Sequence, residues 1–158
     1  MMFLQTDPLP TRFWLGSKDP AGGDPSKDED AKAIRSNKAM LRVLMVEDEF
    51  FISLNTDFLL RELGHIPVGV AVSAEEAIAM AERHLPDVVL MDIRLSGVGD
   101  GIHAAEAILA RFNIPSIFVT ANTDPLTRQR AVAVRGLGFI EKPVTKERLV
   151  AGLKAAVR

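Results

Sequence analysis

Four short apolar runs of this chain each end at polar residues, and the stretches between them have helical periodicity. The runs are LRVLMV (41–46), DVVLM (87–91), SIFV (116–119) and GFI (138–140). Behind them come Glu47-Asp48, Asp92, Thr120 and, one residue further on, Lys142-Pro143. Unbroken apolar runs of this length suit strands buried on both faces, and such strands belong to parallel sheets covered by helices. A parallel pairing needs a crossover of about a dozen residues or more, and each interval here has room for one. The alternation therefore restricts the chain to few architectures.

The intervening segments support that pattern. EFFISLNTDFLLREL (49–63) carries Phe51, Leu54, Phe58 and Leu59 at the spacing of one helix face, and Gly64 stops it. IPVGVAV (66–72) predicts another strand. Ser73 with Glu76 three residues later makes a capping box for a helix over 74–85, with Ala77, Ile78, Ala81 and Leu85 on one face and Pro86 closing it. A loop, IRLSGVGDG, leads from strand DVVLMD to a helix over 102–112, stopped ahead of Pro115. Pro125 suits the first turn of a fourth helix, and Thr145 caps a terminal helix over 146–157. Five strands alternating with five helices predict an α/β fold with a doubly wound parallel sheet. Right-handed crossovers favour the flavodoxin-like (βα)5 order 2-1-3-4-5, whose ligands bind beyond the carboxyl ends of the strands. That edge is where Glu47, Asp48, Asp92, Thr120 and Lys142 fall.

Composition excludes several classes. With 158 residues the chain has room for one ordinary domain, here residues 39–158, and an appendage, residues 1–38. Hydrophobic content of 47% with 25% charged residues is that of a globular protein, and a net charge of −2 gives no general attraction to nucleic acid. Cysteine is absent, which removes disulfides and thiolate chemistry. No apolar run approaches the ~20 residues of a membrane helix, and MMFLQTDPLPTRFW lacks the apolar core of a signal peptide. A cytoplasmic protein without membrane contact is the expectation. Residues 15–38 are rich in Gly, Pro, Asp, Ser and Lys and predict a flexible extension. Phe3, Leu4, Phe13, Trp14 and Leu15 ahead of it read as a solvated tail, with packing on the domain or a partner as the alternative. Met40, directly before the first strand, is an alternative start.

The chemistry of the strand ends comes from their combination. Glu47, Asp48 and Asp92 converge if the first and third strands are neighbours, and three close carboxylates repel and raise one another's pKa. A hard divalent cation relieves this, and magnesium suits few carboxylates with open water positions. Solvated acids at loop starts are the plain alternative. Lys142, ahead of a proline that fixes a tight turn with a cis peptide as one form, can pair with Asp92 and with phosphoryl oxygens. Thr120 offers a hydroxyl donor to another such oxygen. Together, in this order and spacing, these residues make residues 40–158 resemble the receiver domain of two-component response regulators.

The resemblance implies a set of roles. Asp92 is the phosphoacceptor, taking a phosphoryl group from phosphohistidine on a sensor histidine kinase or histidine phosphotransfer protein. Asp48 ligates Mg2+ directly, Glu47 through water, and the backbone carbonyl of Arg94 completes the protein ligands together with Asp92. Thr120 and Lys142 clamp the phosphoryl oxygens, and Phe139 occupies the aromatic switch position, core packing being its alternative. The chain departs from the family pattern in three places. Asp100-Gly101 comes eight positions after Asp92, in a loop one residue longer and without the usual proline. Arg135 stands where a small residue usually ends the fourth helix. The AVAV run at 131–134 is apolar for an outward helix, which reads as a buried face or as a dimer or docking patch.

Other signals are weaker. His65, His84 and His103 have no ligand spacing and read as surface or helix-end residues. Neither a G-x-x-x-x-G-K-[ST] nor a G-x-G-x-x-G motif is present. Arg128, Arg130 and Arg135 form either a small basic patch or a solvated helix face. The reading is a single-domain response regulator, not an enzyme beyond self-catalysed phosphotransfer and autodephosphorylation. Its output is contact with a downstream protein or service as a phosphate sink, with a homodimer through the helix 4–strand 5–helix 5 face as one form. The rivals are a magnesium-dependent phosphohydrolase with an aspartyl intermediate and a phosphorylation-independent interaction module. Against the first, Arg94 stands where such hydrolases carry a second acid.

Overall fold

A computed structural model describes residues 40–96, 99–121 and 124–157, so the expectations for residues 1–38 lie outside the described residues. The chain runs β1 (Arg42–Val46), α1 (Phe50–Glu62), β2 (Ile66–Ala71), α2 (Ala74–His84), β3 (Val88–Asp92), α3 (Gly101–Phe112), β4 (Ser116–Thr120), α4 (Pro125–Ala133), β5 (Gly138–Glu141) and α5 (Lys146–Leu153). The strands form one parallel sheet in the order β2-β1-β3-β4-β5. Every residue of β3 and β4 is buried, as their unbroken apolar runs require. Register sets the functional edge: Val46, Met91, Phe118 and Phe139 lie in one row, and Asp92 pairs with Val119 in the next.

Two apolar layers flank the sheet. Leu44, Val46, Val89, Met91 and Phe118 point to the side covered by α2, α3 and Ala131 of α4. Val43, Met45, Leu90, Ile117, Val119 and Ile140 point to the side holding Leu60 of α1 and Leu149 and Leu153 of α5. Each of these large side chains stabilises by about 1.5–3 kcal/mol when fully buried. Four of the five described helices have a side-chain cap at their start, at Ser73 and Thr145 as the sequence predicts and at Asp100 and Asp124 in addition, while Glu49 ahead of α1 makes none. Ser73, Asp100, Asp124 and Thr145 accept from the backbone N–H groups of Glu76, His103, Thr127 and Arg148. Glu76 also reaches back to the Val72 N–H.

Several expectations need correction. The periodic stripe of α1 turns outward: Phe51 is 81% exposed, Leu54 55% and Phe58 64%, while Ser53, Thr56 and Leu60 are buried. The inward hydroxyls need no outside partner, because Ser53 donates to the Phe50 carbonyl and Thr56 to that of Ile52, both at 2.8 Å. Half-buried Leu59 and Leu63 add the remaining apolar contact. Leu85 is not on the α2 face. It sits beyond the helix end in a left-handed conformation (φ 43°), exposed. The final helix stops at Leu153, and residues beyond it continue as turns. His65 is buried, its Nδ1 accepting from the Leu41 N–H at 3.3 Å, where surface placement was expected. His84 ends α2 and His103 is exposed in the first turn of α3, as predicted.

The fourth helix divides its apolar run. Ala131 is buried and Val134 packs on the core, while Val132 is 63% exposed. Arg135 takes the left-handed turn after the helix (φ 55°). Gly136 follows because a Cβ there would meet the Phe118 ring at 2.6 Å.

Candidate functional site

The carboxyl edge of the sheet brings the sequence-predicted acids and lysine together. One carboxylate oxygen each from Glu47, Asp48 and Asp92 lie within 4.8 Å of one another. β1 delivers Glu47 and Asp48, its central neighbour β3 delivers Asp92, and the turn after β5 delivers Lys142 across β4. That turn is anchored by the Lys142 N–H, which donates to the Thr120 carbonyl at 2.8 Å, and the Lys142-Pro143 peptide is cis. Thr120 is buried at the end of β4, in register with Glu141.

Lys142 is the electrostatic centre. Its Nζ lies 2.7 Å from Asp92 Oδ2 and 2.8 Å from Glu47 Oε2, with Glu49 Oε1 at 3.8 Å. Burial alone would lower the lysine pKa, but the bonds to Asp92 and Glu47 outweigh it and hold the ammonium above its ordinary value. Burial pushes the Glu47 carboxyl up, against the opposing bond from Lys142. Asp48 goes the other way, held below the usual range first by the Ser96 hydroxyl and also by the Ser96 N–H at 3.0 Å. The remaining Asp92 oxygen, Oδ1, accepts from the Arg94 N–H at 2.9 Å. Three carboxylates against one close ammonium leave excess negative charge, and hard oxygen donors in that arrangement fit a divalent cation.

Sequence reading missed the parts that hold these groups in place. Ser96 fixes Asp48 from the loop after β3, and nothing local in a serine of a polar loop signals that. Gly101 is required by contact, since a Cβ there would lie 1.8 Å from the Asp92 carbonyl oxygen. Its N–H donates to the Ile93 carbonyl at 3.1 Å, closing the longer loop onto the strand end. The Asp-Gly pair at 100–101 was the available signal. Asp100 also meets Arg130 of α4 at 2.6 Å. Burial would raise the Asp100 carboxyl, but the His103 N–H and the Arg130 guanidinium hold it below the usual range. The three arginines are therefore not one patch. Arg130 pairs with Asp100, Arg128 lies 5.0 Å over the Phe139 ring, and Arg135 occupies the turn after the helix. Phe139 is half-buried between that guanidinium and Phe118, whose ring centroid is 5.9 Å away.

Residues 43–154 match the family model of the response regulator receiver domain. The chain belongs to the response regulator receiver family. The receiver is 34% identical over 133 residues to the transcriptional regulatory protein PdtaR of Mycobacterium tuberculosis, covering 84% of this chain and 62% of that protein. This chain thus spans about six-tenths of the length of that relative. Over 95 residues it is 35% identical to the phyllosphere-induced regulator PhyR of Methylorubrum extorquens, covering 60% of this chain and 35% of that one. Among solved structures, the signal receiver domain of a modulated diguanylate cyclase from Desulfovibrio desulfuricans superposes with a TM-score of 0.70 at 36% identity, covering 75% of this chain and 94% of that one. The chemotaxis protein CheY4 of Vibrio cholerae gives 0.67 at 27%, covering 75% and 99%. The receiver fold and the flavodoxin-like strand order are thereby shown twice, by topology and by likeness. No described helix is long and apolar enough to cross a membrane.

Proposed function

We propose that this receiver is switched by phosphorylation of Asp92. The observation that carries the reading is the ammonium of Lys142 bridging Asp92 and Glu47 inside a cluster of three carboxylates. Asp92 attacks the phosphorus of a phosphohistidine on a sensor histidine kinase or histidine phosphotransfer protein. An oxygen–phosphorus bond forms, the phosphorus–nitrogen bond breaks, and the imidazole leaves with the bonding pair. Such transfer depends on positioning and charge neutralisation rather than on covalent help from the protein. Asp48, Asp92 and the Arg94 carbonyl, with Glu47 through water, would hold magnesium, which would supply positive charge against that developing on the phosphoryl oxygens. Lys142 exchanges part of its bonding from Asp92 to a phosphoryl oxygen, and the Thr120 hydroxyl bonds another. The receiver needs no further enzymatic activity, and loss of the phosphoryl group to water is self-catalysed at the same site.

Output follows from α4 and β5. The phosphoryl group adds about −1.5 to −2 charge near neutral pH. Movement of Thr120 toward it frees space beside Phe139, whose ring Arg128 and Phe118 bracket. The surface of α4, β5 and α5 then changes and meets a downstream protein or a second copy in the cytoplasm, or the receiver serves as a phosphate sink. Intact-mass measurement after acetyl phosphate and magnesium tests the core of this. One phosphoryl group is expected on the wild type and none on Asp92→Asn, and labelling that survives the substitution removes Asp92 from the role.

A further inference from the structure

Lys142 acts through a long side chain, so the reach of its ammonium is set by the turn that carries its Cα. That turn follows β5, an edge strand of four residues, and Pro143 has no N–H to help hold it. A backbone bond from the Lys142 N–H to the Thr120 carbonyl ties it to β4. Further ties come from side chains of two helices that lie outside the carboxylate cluster. Arg148 of α5 donates from a single guanidinium nitrogen, Nη1, to the Glu141 carbonyl at 3.2 Å and the Pro143 carbonyl at 3.1 Å. These two carbonyls stand on either side of Lys142, so one planar group bridges the turn around it. Asn55 of α1 donates from Nδ2 to the next carbonyl, that of Val144, at 3.2 Å.

The reach of Arg148 is built into the start of its helix. It is the third residue of α5, behind the Thr145 cap, and its N–H donates to the Thr145 hydroxyl oxygen at 3.4 Å. A helical side chain leans toward the N-terminus of its helix, and here the turn lies directly before that end. Leu149, next in the chain, is fully buried and fixes how α5 is rotated. Lys146, a cation at the same helix start, pairs with Glu62 of α1 instead. We propose that Arg148 is a positioning residue for Lys142, with Asn55 as a second support. By holding the carbonyls around the lysine, it keeps the ammonium between its two carboxylates and within reach of an incoming phosphoryl oxygen. Its effect on rate rests on the phosphoacceptor reading; its effect on the turn does not. Lys142 Nζ is 2.7 Å from Asp92 and 2.8 Å from Glu47, so a turn free to shift by about an ångström would let it follow one and lose the other. Misplacement of that size costs up to about 100-fold in rate. A guanidinium suits the task, because its rigid fork loses less freedom per bond formed than a flexible ammonium does.

Two measurements on the full chain test it. Amide hydrogen exchange followed by NMR reads the turn with no phosphoryl group present. The initial rate of labelling by acetyl phosphate and magnesium, followed by intact mass, reads the consequence. Arg148→Met keeps the aliphatic stem and removes the donors. Its Lys142 amide is expected to exchange about tenfold faster, with the Leu90 amide at its wild-type rate, and its labelling to slow about tenfold. Arg148→Lys returns a donor and recovers part of both. Asn55→Ala shifts both in the direction of Arg148→Met, by less. Lys146→Met removes a like charge from the same helix start and leaves both at their wild-type values. A folded Arg148→Met whose Lys142 amide is as protected as the wild type's overturns the proposal. So does faster exchange with labelling at the wild-type rate, and so does equal slowing by Lys146→Met, which makes the effect one of charge alone. Should far-UV circular dichroism show Arg148→Met unfolded, Asn55→Ala carries the same comparison, and an unchanged Lys142 amide there overturns the proposal. Labelling that survives Asp92→Asn removes the phosphoacceptor reading instead; the Lys142 amide then decides by itself whether Arg148 holds the turn.

Discussion

Without the Lys142 ammonium, Glu47 and Asp92 would face each other with only 6% of each side chain exposed and no close cation between them. Breaking a buried pair in this way costs about 3–5 kcal/mol, so Lys142→Met is expected to lose roughly 3 kcal/mol at neutral pH, measured by urea unfolding. In the wild type the lysine pKa is raised, so its contribution is complete below the ordinary lysine value and fades only as pH rises through the higher folded one. Glu47 also has a raised pKa, so the protein gains relative stability as pH falls and this carboxyl takes its proton. The deficit of Lys142→Met is therefore expected to shrink as pH falls from neutral, and to shrink at neutral pH when excess magnesium is added. A deficit that is flat with pH and metal would contradict the charge account. Gly101 gives a second prediction at this scale. The Cβ of Gly101→Ala would overlap the Asp92 carbonyl oxygen, so about 1–3 kcal/mol of stability and much of the acetyl phosphate labelling rate should be lost. The acids, Thr120 and Lys142 were legible because strand ends in a parallel sheet have one place to go. Ser96 and the Gly101 contact were not, since they depend on how a loop closes in space.

Elements show where periodicity stops being informative. The 51/54/58 stripe gave α1 correctly as a helix, but a period does not say which face the sheet covers. Ser53 and Thr56 could be buried because their hydroxyls bond within the helix, and Leu60 anchors the packed side. Leu60→Ala is accordingly expected to cost about 2–5 kcal/mol, whereas Phe58→Gln changes stability by only about 0.5 kcal/mol either way. Urea unfolding at low protein concentration, where self-association does not contribute, separates the two, and a large loss for Phe58→Gln would mean that the face is packed. The end of α4 behaves differently. Arg135 occupies a left-handed turn that costs a residue with a Cβ about 1–2 kcal/mol, part of which glycine returns through its greater freedom in the unfolded chain. Arg135→Gly is therefore expected to stabilise by up to about 1 kcal/mol, read as a higher urea midpoint with an unchanged slope. The sequence flagged Arg135 as out of place without indicating whether the helix would extend through it or turn there.

At the scale of the whole molecule, the strand order could be read from sequence because right-handed crossovers leave few ways to lay five parallel strands beside one another. The same closure bears on residues 1–38. Among the described residues, all strand pairings fall between Arg42 and Glu141, and the buried apolar residues run from Leu41 to Leu153. Residues 39–158 form a compact unit, and the family match, 43–154, lies inside it. Every group of the candidate site belongs to that unit. A chain beginning at Met40 should therefore fold, with a thermal midpoint within about 2–4 °C of the full chain, equivalent to roughly 1 kcal/mol for a domain of this size. It should also take one phosphoryl group from acetyl phosphate in a magnesium-dependent reaction at an unchanged rate. Circular dichroism establishes folding and intact mass counts the phosphoryl group. A truncated chain that is folded yet unlabelled would show that the N-terminal residues take part in the site, and the receiver's boundary would have to be redrawn to include them.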